Sequence, residues 1–194
     1  MAYNDRIGEI QFTDTDGSVK RLRGNIGDAF IYGVEAFANW NLKGLLALND
    51  TSKLDYFINA ALTESDYTRS DRNNVRGNRV EFIPSVNLKT GLNFGYANFL
   101  GNLQYTFISE QFTDATNAGP LLGNAPGAGV VGTIPAYDIL DLSLSYSWQK
   151  IKLEAGVNNV LNKSYFTRRA TGYPGPGIIP SEPRSFYTTL QFRL

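Results

Sequence analysis

A chain of 194 residues with 18 Lys plus Arg against 18 Asp plus Glu carries no net charge, so its composition makes no case for a nucleic-acid partner. It holds no His and no Cys, which excludes imidazole-based catalysis, imidazole- or thiolate-ligated metal sites and disulfides. The chain is therefore expected to be no enzyme and to carry no cofactor, and its 19 Gly, 11 Tyr and 12 Phe suit an all-β protein with many turns.

No run approaches the ~20 apolar residues of a membrane-crossing helix. A membrane β-barrel escapes that test, because only alternate residues of each strand meet lipid. The start, Met1-Ala2-Tyr3-Asn4-Asp5-Arg6, lacks the basic-then-apolar pattern of a signal peptide. An exported protein with this start is expected to be a piece of a longer one.

In chain order, Tyr3 to Gln11 reads as a strand, and Asp14-Thr15-Asp16-Gly17 is a turn signal inside a long loop, 12–27. The Asp-rich turn has too few ligands for a calcium loop and is read as a plain turn. Asp28 to Trp40 alternates, with Tyr32, Val34, Ala36, Ala38 and Trp40 on one face and Gly33, Glu35, Phe37 and Asn39 on the other. Asn41 to Lys53 is a connection whose Leu45-Leu46-Ala47-Leu48 run is greasier than a turn requires. Its Asn49-Asp50-Thr51 has no catalytic partner in sequence. Leu54 to Glu64 is the next strand, followed by a charged loop, 66–83.

Ser85 to Tyr96 sets Val86, Leu88, Leu92 and Phe94 against Asn87, Lys89 and Asn93. A tight turn at Ala97-Asn98 leads into a strand from Leu100 to Phe112. After a Gly/Ala/Pro-rich loop, 113–135, Tyr137 to Trp148 sets Leu140, Leu142 and Leu144 against Asp141, Ser143 and Ser145. No strand feeds the glycines from Gly123 to Gly132 into a helix, so they are not a nucleotide loop. Gln149-Lys150 turns into Ile151 to Leu161, where Asn158-Asn159 is read as a kink. A last loop, 162–184, precedes the closing strand from Ser185 to Leu194.

About eight antiparallel strands are thus expected, with long loops at one end and mostly short turns at the other, the asymmetry of outer-membrane barrels. Trp40, Tyr96 and Trp148 end strands on the short-turn side, where an interfacial aromatic girdle belongs. A soluble sandwich also alternates and stays open as an alternative. A complete small eight-stranded barrel of adhesion or structural type is another.

The stretch from Gly156-Val157-Asn158-Asn159-Val160-Leu161 to Asn162-Lys163-Ser164-Tyr165 resembles the penultimate-strand signature of TonB-dependent outer-membrane receptors. Pro183-Arg184-Ser185-Phe186-Tyr187 with Phe192-Arg193-Leu194 is similar to that family's terminal strand. Asn25-Ile26-Gly27-Asp28 before Tyr32-Gly33-Val34-Glu35, and Ile134-Pro135-Ala136-Tyr137 before Asp141-Leu142, fit the same order. Ser109-Glu110-Gln111-Phe112 and Tyr165-Phe166-Thr167-Arg168-Arg169 look most like the ferric-dicitrate branch. Leu194 departs from the family's usual final Phe.

The resemblance implies an antiparallel transmembrane β-barrel in the bacterial outer membrane, roughly 22-stranded, with a plug in its lumen. Residues 1–194 would be its C-terminal part, with plug and first strands absent. It also implies uptake of a ferric chelate, citrate or siderophore, driven by TonB through the plug. The expected partners are outer-membrane lipid, that chelate and TonB, with no nucleic acid. Arginine forks suit an anionic, carboxylate-rich ligand. Arg168 and Arg169 are the leading ligand-binding candidates, followed by Arg72 and Arg76, with Arg69, Arg79 and Arg184 nearby. Asp66, Asp71, Glu81 and Glu182 are the acids that could neutralise them instead.

Overall fold

The computed structural model describes residues 1–120, 129–170 and 177–193, without the side chains of Glu9 and Thr13. Among these residues twelve strands form: β1 Ala2–Thr13, β2 Val19–Asn41, β3 Ser52–Arg69, β4 Val86–Tyr96, β5 Phe99–Ile108, β6 Gln111–Phe112, β7 Thr133–Ile134, β8 Tyr137–Trp148, β9 Ile151–Asn158, β10 Phe166–Ala170, β11 Gly177–Pro180 and β12 Ser185–Phe192. Eight of them make one antiparallel meander in the order β1-β2-β3-β4-β5-β8-β9-β12. β6–β7 and β10–β11 are small hairpins within the loops. No second large sheet packs on the first among the described residues, so the sandwich alternative fails.

Register separates the two faces as the alternation requires. Leu142 lies opposite Leu103, which lies opposite Leu92, which lies opposite Tyr56; Leu88 faces Phe107 and Val86 faces Leu62. Along the other face a polar row crosses five strands at Asn41, Asp55, Asn93, Asn102 and Ser143. Asn41 donates to Asp55 at 2.9 Å and Asn102 to Asn93 at 2.8 Å. Ion pairs Lys53–Asp55 (3.5 Å) and Lys152–Glu154 (3.1 Å) border this row. An apolar face against lipid and a hydrogen-bonded face against water leave no room for a central core. Buried apolar side chains gather instead at the long-loop end, where Ile26, Ala29, Tyr67, Val75, Val80 and Ala115 form one cluster.

At the short-turn end the aromatics meet. Trp40 stacks on Tyr56 (centroids 5.7 Å), Phe94 tilts against Phe99 (6.3 Å), Tyr96 lies opposite Phe99, and Trp148 and Phe192 both lie opposite Ile151. These residues share the apolar face, as an interfacial girdle does. Leu194 lies outside the described residues.

Four sequence readings are corrected, the first being that β3 runs on to Arg69, pairing Asp66, Tyr67 and Arg69 with β2 where the sequence suggests that the 66–83 loop has begun. Segment 12–27 is no loop: β1 and β2 continue as a hairpin around the Asp14–Ser18 turn, where the Asp14 N–H donates to the Ser18 carbonyl (2.8 Å) and Gly17 takes φ +80°. Backbone N–H groups of the turn keep both carboxylates busy: Asp14 accepts from the Thr15 N–H and Asp16 from the Ser18 N–H. β2 is 23 residues long, about twice the ~9–11 a membrane strand needs, so the hairpin projects beyond the bilayer. β5 stops at Ile108, and Gln111–Phe112 turn away to pair with Thr133–Ile134. β9 stops at Asn158, because Asn159 takes φ +51° and is clamped in place. Its N–H donates to Asp141 and its side chain bonds both backbone groups of Lys163.

One glycine on the polar face permits a close approach. A Cβ at Gly156 would sit 2.3–2.6 Å from the Tyr187 ring, which lies across it from β12. Gly156→Ala should cost about 1–3 kcal/mol through displacement of that ring. Thermal unfolding of the Gly156→Ala protein against Gly156→Ala/Tyr187→Ala checks this, since removing the ring should remove most of the penalty of the alanine.

Candidate functional site at the long-loop end

The projecting β1–β2 hairpin and the three loops dock into one assembly. Phe82 donates its N–H to the Phe112 carbonyl (2.9 Å), and the Asn78 side chain donates to the Ala115 carbonyl (2.9 Å). Asn117 brackets the Arg79 backbone, accepting from its N–H and donating to its carbonyl. From the hairpin, Gln11 reaches Thr113 (3.4 Å) and Arg21 donates to the Arg169 carbonyl (2.9 Å). A bound ligand would meet these segments as one surface rather than as separate loops.

Beneath this surface lies a buried polar group that the sequence does not advertise. Tyr67 donates to Glu81 at 2.8 Å, Arg6 approaches the same carboxylate at 3.8 Å, and Glu81 is only 3% exposed. Gly8 makes this possible, because a Cβ there would come within 2.5 Å of Glu81 and 2.6 Å of the Tyr67 hydroxyl. Asp114 is 1% exposed; its Oδ1 accepts from Thr116, while its Oδ2 has no hydrogen-bond partner among the described residues. Burial, and secondarily the Glu81 charge, push the Asp114 carboxyl above its ordinary range, against the opposing pull of Thr116 and Arg21.

The folded protein therefore holds the Asp114 proton more tightly than the unfolded chain. Its stabilising share is complete below the ordinary carboxylate pKa and is lost as pH rises through the raised one. Amide protection across 111–117, taken relative to the intrinsic exchange rate at each pH, should accordingly fall as pH rises above the ordinary carboxylate range. Asp114→Asn, which keeps an acceptor for Thr116, should flatten that dependence; an unchanged pH response would remove Asp114 from the linkage.

The arginines sort by environment. Arg69 pairs with Asp28 (2.8 Å), and Arg79 pairs with Glu64 (2.5 Å), so the neutralising acids differ from those the sequence suggested. Arg169 is 6% exposed: its Nε donates to the Thr133 carbonyl (2.8 Å), one terminal nitrogen donates to Gly129 (2.7 Å), and its guanidinium lies 5.0 Å from the Phe166 ring centroid. Desolvation lowers its pKa without threatening its charge. Arg169 thus fastens the β10–β11 hairpin onto the loop that precedes β8.

Arg168, the preceding residue on β10, is exposed, and so are Arg76 and Arg184. Arg72 is half-buried beside a hollow of about 260 Å³ lined also by Asp5, Asn25, Arg69 and Ser70. None of these four has an acid within ion-pair distance among the described residues. No group of three or more acidic residues suited to a metal ion occurs among the described residues.

Residues 2–160 match a family model described as "TonB dependent receptor-like, beta-barrel". Among solved structures, the chain is similar to the ferric citrate transporter FecA in its unliganded form, with a TM-score of 0.73 and 24% identity over 85% of this chain. It is similar to the copper transporter OprC (0.66, 21% identity, 98% of this chain) and to the ferric yersiniabactin uptake receptor FyuA from Yersinia pestis (0.65, 19%, 88%). The chain spans 24%, 26% and 24% of those three chains, about a quarter of each.

Proposed function

Because the chain belongs to the TonB-dependent receptor β-barrel family, we propose that it serves the uptake of a ferric chelate, ferric citrate or a siderophore, as part of an outer-membrane receptor. Barrels of this family are bacterial outer-membrane proteins and act as transporters rather than enzymes. The eight strands would be the C-terminal part of a roughly 22-stranded barrel, with a plug in the lumen contacting TonB. The observation that carries this reading is the family match over 2–160, joined to a sheet whose β1 and β12 stand at opposite edges. That openness disfavours a complete eight-stranded barrel, in which those two strands would pair.

The ferric-dicitrate assignment is the finer part of the proposal. An anionic, carboxylate-rich chelate suits guanidinium groups without acid partners; exposed Arg168 meets that description best, followed by half-buried Arg72 at the edge of its hollow. Arg76 remains a secondary candidate, and Arg169 enters through the loop it holds. OprC is a copper transporter by description, so the fold alone does not select iron. The test is ferric citrate binding by the receptor carrying Arg168→Ala with Arg72→Ala. Loss of a charge-assisted contact should weaken binding by about 1.5–3 kcal/mol, more than tenfold. Unchanged affinity at normal surface levels would remove both residues from the site, and absence of ferric citrate binding by the unaltered receptor would overturn the branch assignment.

A further inference from the structure

The connection between β2 and β3 is unlike the other turns at its end of the sheet. Those are the residue pairs Ala97-Asn98 and Gln149-Lys150, whereas this one runs from Leu42 to Thr51 and closes into a hydrogen-bonded turn. The Leu46 N–H donates to the Leu42 carbonyl (3.0 Å) and the Leu48 N–H to the Lys43 carbonyl (3.0 Å). Asn49 caps the exit, accepting from the Thr51 and Ser52 hydroxyls. So ordered a segment has no structural need for leucine, yet Leu45 is 80%, Leu46 54% and Leu48 37% exposed.

We propose that the Leu42–Leu48 turn is a membrane anchor, seated in the lipid interface on the short-turn side of the barrel. Continuity fixes the occupant. Leu42 extends the β2–β3 ladder by donating to the Leu54 carbonyl (2.8 Å), and Leu54 lies opposite Phe94 on the lipid-facing side. The stacked Trp40–Tyr56 pair of the girdle borders the turn directly. Charge agrees: Lys43, the turn's one cation, is paired with Asp50 at 2.9 Å, so the turn brings no unpaired positive charge to the interface. A short amphipathic segment with paired charge and projecting leucines gains free energy by burying them among headgroups and upper acyl chains.

These 194 residues hold no cysteine, so a single one can be placed among them without a competing thiol in this part of the receptor. An environment-sensitive fluorophore would be attached to Leu45→Cys, and separately to Lys150→Cys, in the receptor reconstituted in vesicles of phosphatidylethanolamine and phosphatidylglycerol. The Leu45 probe should emit further to the blue and lose emission to phospholipid spin-labelled high on the acyl chain, with little loss to aqueous iodide. The Lys150 probe should show a greater loss to iodide. Iodide quenching of the Leu45 probe equal to that at Lys150 would overturn the anchor. Shielding of Leu45 from both quenchers would overturn it too, because a protein partner would then cover the turn.

Discussion

Replacing Leu142 by Arg should abolish or sharply reduce assembly of the receptor, while Ser143→Arg, one residue along the same strand, should be tolerated. Leu142 sits between Leu103 and Val157 in the middle of the apolar face, and Ser143 between Asn102 and Gly156 on the polar one. Arginine on the lipid side costs about 2–4 kcal/mol near the bilayer midplane. On the polar face it enters a hydrated surface where a substitution typically changes stability by roughly 0.5 kcal/mol. Outer-membrane levels and the midpoint of urea unfolding in lipid would read the difference. Equal losses for both variants would mean that the two faces are wrongly assigned.

The second large effect separates neighbours of one type. Arg169→Ala deletes two hydrogen bonds from a charged donor to the Thr133 and Gly129 carbonyls, and these should be missed by about 1.5–3 kcal/mol each. The loss should appear as faster amide exchange in 129–134 and 166–170, with the membrane strands unaffected. Arg168→Ala should leave that exchange unchanged and weaken ligand binding alone. If the two variants behave alike in exchange, the division between a fastening and a ligand-facing arginine is wrong.

That pair also shows what a sequence can and cannot reveal. Arg168 and Arg169 look equivalent as letters and were equally attractive for an anion. Period two places neighbours in a strand on opposite sides, so one is exposed and the other is driven into the junction with Thr133 and Gly129. Which side is which depends on where the β10–β11 hairpin docks, and docking is not written in local periodicity. The same holds for Glu81 and Asp114, whose burial arises only when loops remote in sequence close over Gly8 and Tyr67.

Within the membrane the reverse applies. β8, Tyr137–Trp148, has the limits its alternation indicated, because lipid on one side and water on the other enforce the pattern over its full length. Residues 19–27 of β2 stand above the bilayer, where no lipid demands alternation, so their sequence reads as loop. Asn159 ended β9 early through a side-chain clamp on Lys163 that alternation cannot show.

The most direct measurement is a spin-label scan along β8, from Asp138 to Ser147, in the receptor reconstituted in lipid. Collisions with oxygen, which concentrates in the bilayer, and with a water-soluble nickel chelate would be compared at each position. The expected result is a period of two with opposite phases: oxygen highest at Leu140, Leu142, Leu144 and Tyr146, and nickel highest at Asp141, Ser143 and Ser145. Oxygen and nickel accessibilities rising and falling together, or showing no alternation, would contradict a barrel strand with lipid on one side and a water-filled lumen on the other.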